Sequence, residues 1–392
     1  MESVRSFSLF ASLLWAALCV SLLPSPVAAQ SEGVVYLPTL MNDYTVGWHW
    51  GDAYTVTVAA RTTGSPLAAI DHSGQPHIFW YHTLTDDLLH HLYLTPSGWQ
   101  ATLAPAPADS ESRLTNPPLV DSAGRVHLLW FNKLGEGEAE RHRFLHATFT
   151  GDAWQAPREI MRSKYSTIDG WLRLGTGDQP RVAVTDGFMG WKATLYTLGG
   201  EWQAQSEQTL PTDADSVWPD ATDGAHLYGV SDNMMLYWRW SGGTVGGVQS
   251  LGGGAFLGRS LAFDAGGNLH LYWKASVDAG GQLITAPHHQ CIDARPRASE
   301  VTMPGGAVAV RELVGAAENG PRFALAWQEA TRKRLMLWDG CTPGVTVTIP
   351  ENAGESTTLR AVAVSSNPRK VCVFMQQGGT AVYTVRCADL DY

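Results

Sequence analysis

The chain has 392 residues, of which 44% are apolar and only 16% charged, with 40 glycines and 16 tryptophans; this suits many short strands joined by tight turns and excludes a helix-rich fold. A formal net charge of −10 excludes a phosphate backbone as partner, because nucleic-acid binding needs clustered Lys and Arg that displace counterions. No nucleic acid, cofactor or metal is expected.

The chain opens with Arg5, an apolar run from Phe7 to Leu23, Pro24, Pro26 and a small-residue site at Val27-Ala28-Ala29, which reads as an export signal over 1–29. A signal anchor is the alternative, since seventeen apolar residues lie at the short end of what spans a bilayer. Residues 30–46 read as a linker and 47–392 as one domain with no membrane span. The mature protein is expected to be secreted, extracellular and monomeric.

A phrase Asp-x-x-Gly-x-x-His-hydrophobic-x-Trp recurs three times, at Asp71 to Trp80, Asp121 to Trp130 and Asp264 to Trp273, and a worn copy keeps Asp220 and His226 with Gly229 in place of Trp. Self-similarity at a period near fifty residues marks a radial or stacked repeat. Each unit starts with a short apolar strand: Leu67 to Ile70, Val182 to Val184, Leu261 to Phe263, Val362 to Val364. It turns into a second strand such as His77 to Tyr81. A third follows (Leu92 to Leu94, Phe144 to Phe149, Ala193 to Leu198, Met234 to Trp240, Leu335 to Trp338), and the fourth often opens on Trp99, Trp154 or Trp202. Four antiparallel strands per unit make the blade of a β-propeller.

Anchor turns place unit starts near 64, 113, 178, 215, 258, 307 and 357, which makes an all-β, seven-bladed propeller, with six or eight blades also compatible. The last unit supplies three strands, and Tyr54 to Ala60 reads as the missing fourth, closing the ring and removing exposed sheet edges. Tyr44 to Trp50 is a candidate extra strand. Four cysteines follow the signal, an even number that favours disulfides in an exported chain. Cys372 pairs best with Cys387, across neighbouring strands of the last blade; Cys291 with Cys341 would link adjacent blades.

In each repeat Asp starts a turn and accepts local N–H groups, Gly supplies an unusual φ, and His begins the next strand, so Asp71/His77, Asp121/His127, Asp220/His226 and Asp264/His270 read as structural dyads. In a propeller the first strand begins on the face opposite those turns. Arg181, Arg259, Arg311 and Arg360 at first-strand entries, with Trp80, Trp130 and Trp273 at the far end of second strands, would then surround one mouth of the channel, where cationic forks and flat rings can hold an acidic glycan. The loop after Tyr81 carries His82, Asp86, Asp87, His90 and His91; Tyr81 and His82 are the candidates for acid–base chemistry, while His90 and His91 point to opposite faces of a strand.

This pattern resembles the secreted sialidase-like propellers, the class of bacterial neuraminidase repeats, and the architecture is also similar to seven-bladed fucose-binding lectins and polysaccharide lyases. The resemblance implies a sugar-directed surface, sometimes hydrolytic. Ser276-Val277-Asp278-Ala279-Gly280 approximates that class's aspartate box without its closing Thr-Trp, and the Arg-Ile-Pro motif is absent. The expectation is therefore a non-enzymatic propeller that binds carbohydrate or an extracellular protein. A glycoside hydrolase or polysaccharide lyase, and a structural display protein, are the alternatives.

Overall fold

The computed structural model describes residues 47–391, apart from 58–65, 82–87, 106–110, 115–116, 134–141, 166–167, 188–191, 233, 254–255, 265–267, 279–282, 293–297, 303–310, 318–321, 331 and 352–355. The expected leader and the whole of the linker lie outside them. Runs such as Pro76–Tyr81, Pro180–Asp186 and Arg322–Gln328 are buried almost without interruption, because a strand inside a blade is packed on both faces by its neighbours. Outer strands such as Trp202–Thr209 are largely exposed and polar.

These strands form seven antiparallel sheets. In chain order their inner strands are Leu67–Ile70, Glu111–Leu114 with Leu119–Val120, Ile168–Leu174, Ala214–Pro219, Phe256–Phe263, Glu312–Ala317 and Thr357–Ser366. Seven clusters of buried side chains each draw on two neighbouring sheets, so the sheets stand as blades in a closed ring: a seven-bladed β-propeller. Among the described residues no helix is long and apolar enough to cross a membrane.

The seventh blade joins both ends of the domain. Its third strand, Val382–Asp391, pairs with Tyr54–Thr57 along one half and with Gly47–Trp50 along the other, and Gly51 N–H donates to Cys387 O at 2.9 Å between them. The closure expected of Tyr54 is present as far as Thr57, with 58–60 outside the described residues. Of the candidate extra strand, Gly47–Trp50 is described and belongs to the same outer edge, with 44–46 outside the described residues.

The third blade corrects the sequence reading. Its inner strand is Ile168–Leu174, and Val182 to Val184 lies within the second strand, Pro180–Asp186, so the blade begins about ten residues before the anchor near 178. The misreading has a clear cause: this turn opens on Gly175, where the turns of the first, second, fourth and fifth blades open on Asp71, Asp121, Asp220 and Asp264. Both disulfides are present. Cys372 and Cys387 face each other across two strands with Cα atoms 4.0 Å apart, and Cys291–Cys341, at 5.4 Å, ties the fifth blade to the sixth.

Candidate functional site

The recurrent dyads do serve the turns. Asp71 Oδ1 accepts N–H groups from Ser73 at 2.9 Å and Gln75 at 2.8 Å; Asp121 Oδ1 accepts those of Ala123 and Arg125, and Asp220 Oδ1 those of Thr222 and Gly224. Gly74 and Gly124 adopt φ of +77° and +78°, where a side chain would be strained. Histidine Nε2 then stands 3.3, 3.0 and 3.3 Å from the carboxylate in the pairs His77/Asp71, His127/Asp121 and His270/Asp264.

Each of these imidazoles meets a second one that sequence reasoning missed. His77, His127 and His270 Nδ1 lie 2.9, 3.1 and 3.0 Å from Nε2 of His91, His146 and His289 on the third strand. The visible signal was a third-strand histidine, obscured because its separation from the first is 14 residues in one blade and 19 in the other two. Burial, with the neighbouring imidazole adding to it, holds His91 and His289 well below the usual histidine value and His146 at about 3. The second ring is therefore neutral at pH 7. Asp121 is held at about 2: burial works to raise it, and donors from His127 and Arg125 more than offset that. These relays lie in three separate blades, the first, second and fifth.

In the fourth blade Tyr237 OH replaces the second ring, 2.9 Å from His226 Nδ1, and Arg239 inserts between His226 and Asp220. In the third, Gly175 and Arg181 stand at the Asp and His positions. Arg181 thus belongs to the turn face, 7% exposed, with Nη1 3.5 Å from Asp223 Oδ1, and is not at the expected mouth.

Toward the other end of the inner strands of the fifth, sixth and seventh blades, away from the turns, lie Arg259, Arg311 and Arg360. Three inner strands slip register near their start, between Ala214 and Ser216, Leu257 and Ser260, and Leu359 and Ala361, which leaves Asp215, Arg259 and Arg360 on bulges. Bulges re-aim side chains and recur beside functional sites. Arg360 Nε donates to Gln376 Oε1 at 2.8 Å and Gln376 Nε2 in turn donates to Thr380 O at 2.6 Å; no carboxylate pairs with Arg360 among the described residues. Arg311 is exposed at the start of the sixth blade, and its side chain also has no acidic partner among them.

Trp80, Trp130 and Trp273 do not join this mouth. They are 5%, 0% and 6% exposed and fill three different interfaces between blades, with Trp80 stacked on His90 and Trp273 on His288. Trp327 fills a fourth. Tyr81 packs against the cluster between the first two blades, while His82, Asp86 and Asp87 lie outside the described residues. No group of three His, Cys, Asp or Glu arranged to hold a metal occurs among the described residues.

A column of side chains between the third and fourth inner strands was not anticipated. Asp169, Trp171 and Arg173 match Ser216, Trp218 and Asp220 at the same two-residue step. The Ser216 hydroxyl bonds to Asp169, the two indoles stack with centroids 3.6 Å apart, and Arg173 feels the Asp220 charge. Burial raises the Asp169 carboxyl to about 6 despite N–H donors from Trp171 and Gly170. Burial likewise lowers Arg173 to about 10, against the pull of Asp220 and Asp264.

No family model and no curated protein matches the chain. Among solved structures it is similar to the β-propeller domain of the trilobed protease from Pyrococcus furiosus, with a TM-score of 0.52 and 10% identity over 82% of this chain and 95% of that one. It is also similar to an ulvan lyase described as a new family of polysaccharide lyase, with a TM-score of 0.50 and 13% identity over 84% of this chain and 95% of that one. At such identities the likeness concerns the propeller fold alone.

Proposed function

We propose that the protein is a secreted, non-enzymatic binding propeller whose arginine-bearing mouth recognises an acidic carbohydrate. The observation that carries this reading is Arg360: it sits on a bulge of an inner strand, oriented by Gln376, with no acidic partner among the described residues. A guanidinium fixed through Nε keeps its remaining N–H donors for a carboxylate or sulfate. Arg311 stands just before the inner strand of the sixth blade, toward the same end, and is exposed. Against a net charge of −10 such local cations favour a specific anionic ligand over diffuse attraction. Two disulfides suit an oxidising, extracellular setting.

The test is a glycan library of uronic, sialic and sulfated sugars, screened with the wild type and with Arg360→Ala. Binding to acidic members that Arg360→Ala weakens at least tenfold, with folding intact, supports the reading. Uniformly flat responses to acidic glycans remove it.

A second reading, a glycoside hydrolase or polysaccharide lyase, draws on Asp169. A carboxyl held at about 6 is suited to proton transfer near neutral pH. Release of unsaturated uronic products, read by ultraviolet absorbance and lost in Asp169→Asn, would establish it; unchanged polymer after long incubation would end it.

A further inference from the structure

The channel is filled unequally. On the side of the third and fourth blades Trp171, Trp218 and Arg173 occupy the inner strands. Around the first, second, sixth and seventh blades aliphatic side chains line them instead, and a cavity of about 210 Å³ opens there, walled by Ala68, Ile70, Leu119, Ala316, Ala363 and Val364. It lies at the turn end of these strands, away from the arginine mouth.

The rim is polar. His72 and Ser122 from the turns of the first and second blades, and Ser365, Ser366 and Asn367 from the seventh, border the cavity. Some of these groups are already engaged: Ser122 bonds to Asp178, Ser365 Oγ accepts the Asn367 N–H at 3.2 Å, and both Asp121 oxygens are taken by its own turn and His127. The side chains of His72 and Asn367 have no hydrogen-bond partner among the described residues. Apolar walls with a few uncommitted polar groups are the general form of a small-molecule site.

We propose that this cavity is a second binding site, distinct from the arginine mouth, and that it takes one neutral sugar ring. Size limits the occupant: pockets for drug-sized ligands run to about 300–1,000 Å³, so this one admits a single ring with its substituents. Charge limits it too, since among the described residues no Lys or Arg lines the cavity and Asp121 would repel an acid. Aliphatic walls suit the C–H face of a pyranose, and the His72 and Asn367 side chains suit its hydroxyls.

The experiment is saturation-transfer NMR on the full protein with methyl glycosides of neutral hexoses and 6-deoxyhexoses. At least one glycoside is expected to show transfer. His72→Ala and Asn367→Ala, both exposed positions, should each weaken it at least fivefold with an unchanged circular dichroism spectrum, and Ala363→Val should abolish it by filling the wall. Arg360→Ala should leave it unaltered. The absence of transfer from every neutral glycoside overturns the proposal, as does equal affinity in the His72→Ala/Asn367→Ala double variant. Loss of binding in Arg360→Ala overturns it as well, by moving the sugar to the mouth; the acidic-glycan reading can fail without affecting any of these outcomes.

Discussion

Gly175 makes room for Arg181: a Cβ on this glycine would lie 2.9 Å from Arg181 Cδ and 3.1 Å from the Ala221 carbonyl of the next blade's turn. The third blade has therefore exchanged a dyad of medium-sized side chains for one absent side chain and one long one. Gly175→Ala should destabilise the propeller by about 1–3 kcal/mol, the usual range for overpacking, measured by urea denaturation. Gly175→Asp alone should cost at least as much, and the double change Gly175→Asp/Arg181→His should recover part of the loss by rebuilding the dyad. No recovery in the double variant would show that the two positions are independent.

Stability should fall with acid before the carboxylates titrate. His146 at about 3, and His91, His226 and His289 well below their usual value, stay neutral when folded but accept a proton near pH 6.5 when unfolded. The unfolded chain thus binds more protons, and each such histidine removes about 1.4 kcal/mol of stability per pH unit below 6.5, down to its folded value. Asp169, raised to about 6, opposes this with one group, since the folded chain binds its proton first as pH drops from 6 to 3.8. Urea midpoints should therefore decline from pH 6.5 to pH 5. A flat profile would mean that these four rings are charged or exposed.

The two disulfides should differ in weight. Cys291–Cys341 spans 50 residues and ties two blades, whereas Cys372–Cys387 spans 15 within one sheet. Loop-closure entropy gives about 4 kcal/mol for the longer and about 3 kcal/mol for the shorter. Paired Cys→Ala variants should lower the thermal midpoint in that order, and the reverse order would show that native packing, not unfolded-chain entropy, sets the difference.

Gln376→Ala should weaken acidic-glycan binding without removing a charge. It frees Arg360 Nε and leaves the guanidinium to wander, so the loss should be smaller than for Arg360→Ala, about twofold to tenfold, from about 0.5–1.5 kcal/mol for one hydrogen bond. Calorimetry at two salt concentrations separates the two variants, because only loss of the charge flattens the salt dependence.

The all-β class, the blade period and the closure of the ring through Tyr54 were legible in the chain itself, because a strand period of two and a repeated turn are local properties. The dyads were readable for the same reason: six residues separate Asp from His within one turn. The partners of those histidines were not, since His91, His146 and His289 reach them only across a hairpin whose loop length varies. Tertiary structure also decided the fate of the tryptophans. Alternation tells which side of a strand Trp80 or Trp130 occupies, but only the neighbouring blade determines that this side is an interface and not a ligand surface. Arg181 shows the limit most plainly, for the substitution of Gly175 for aspartate erased the local mark of its turn, and its place could be recognised only from the pairing of Leu174 with Pro180.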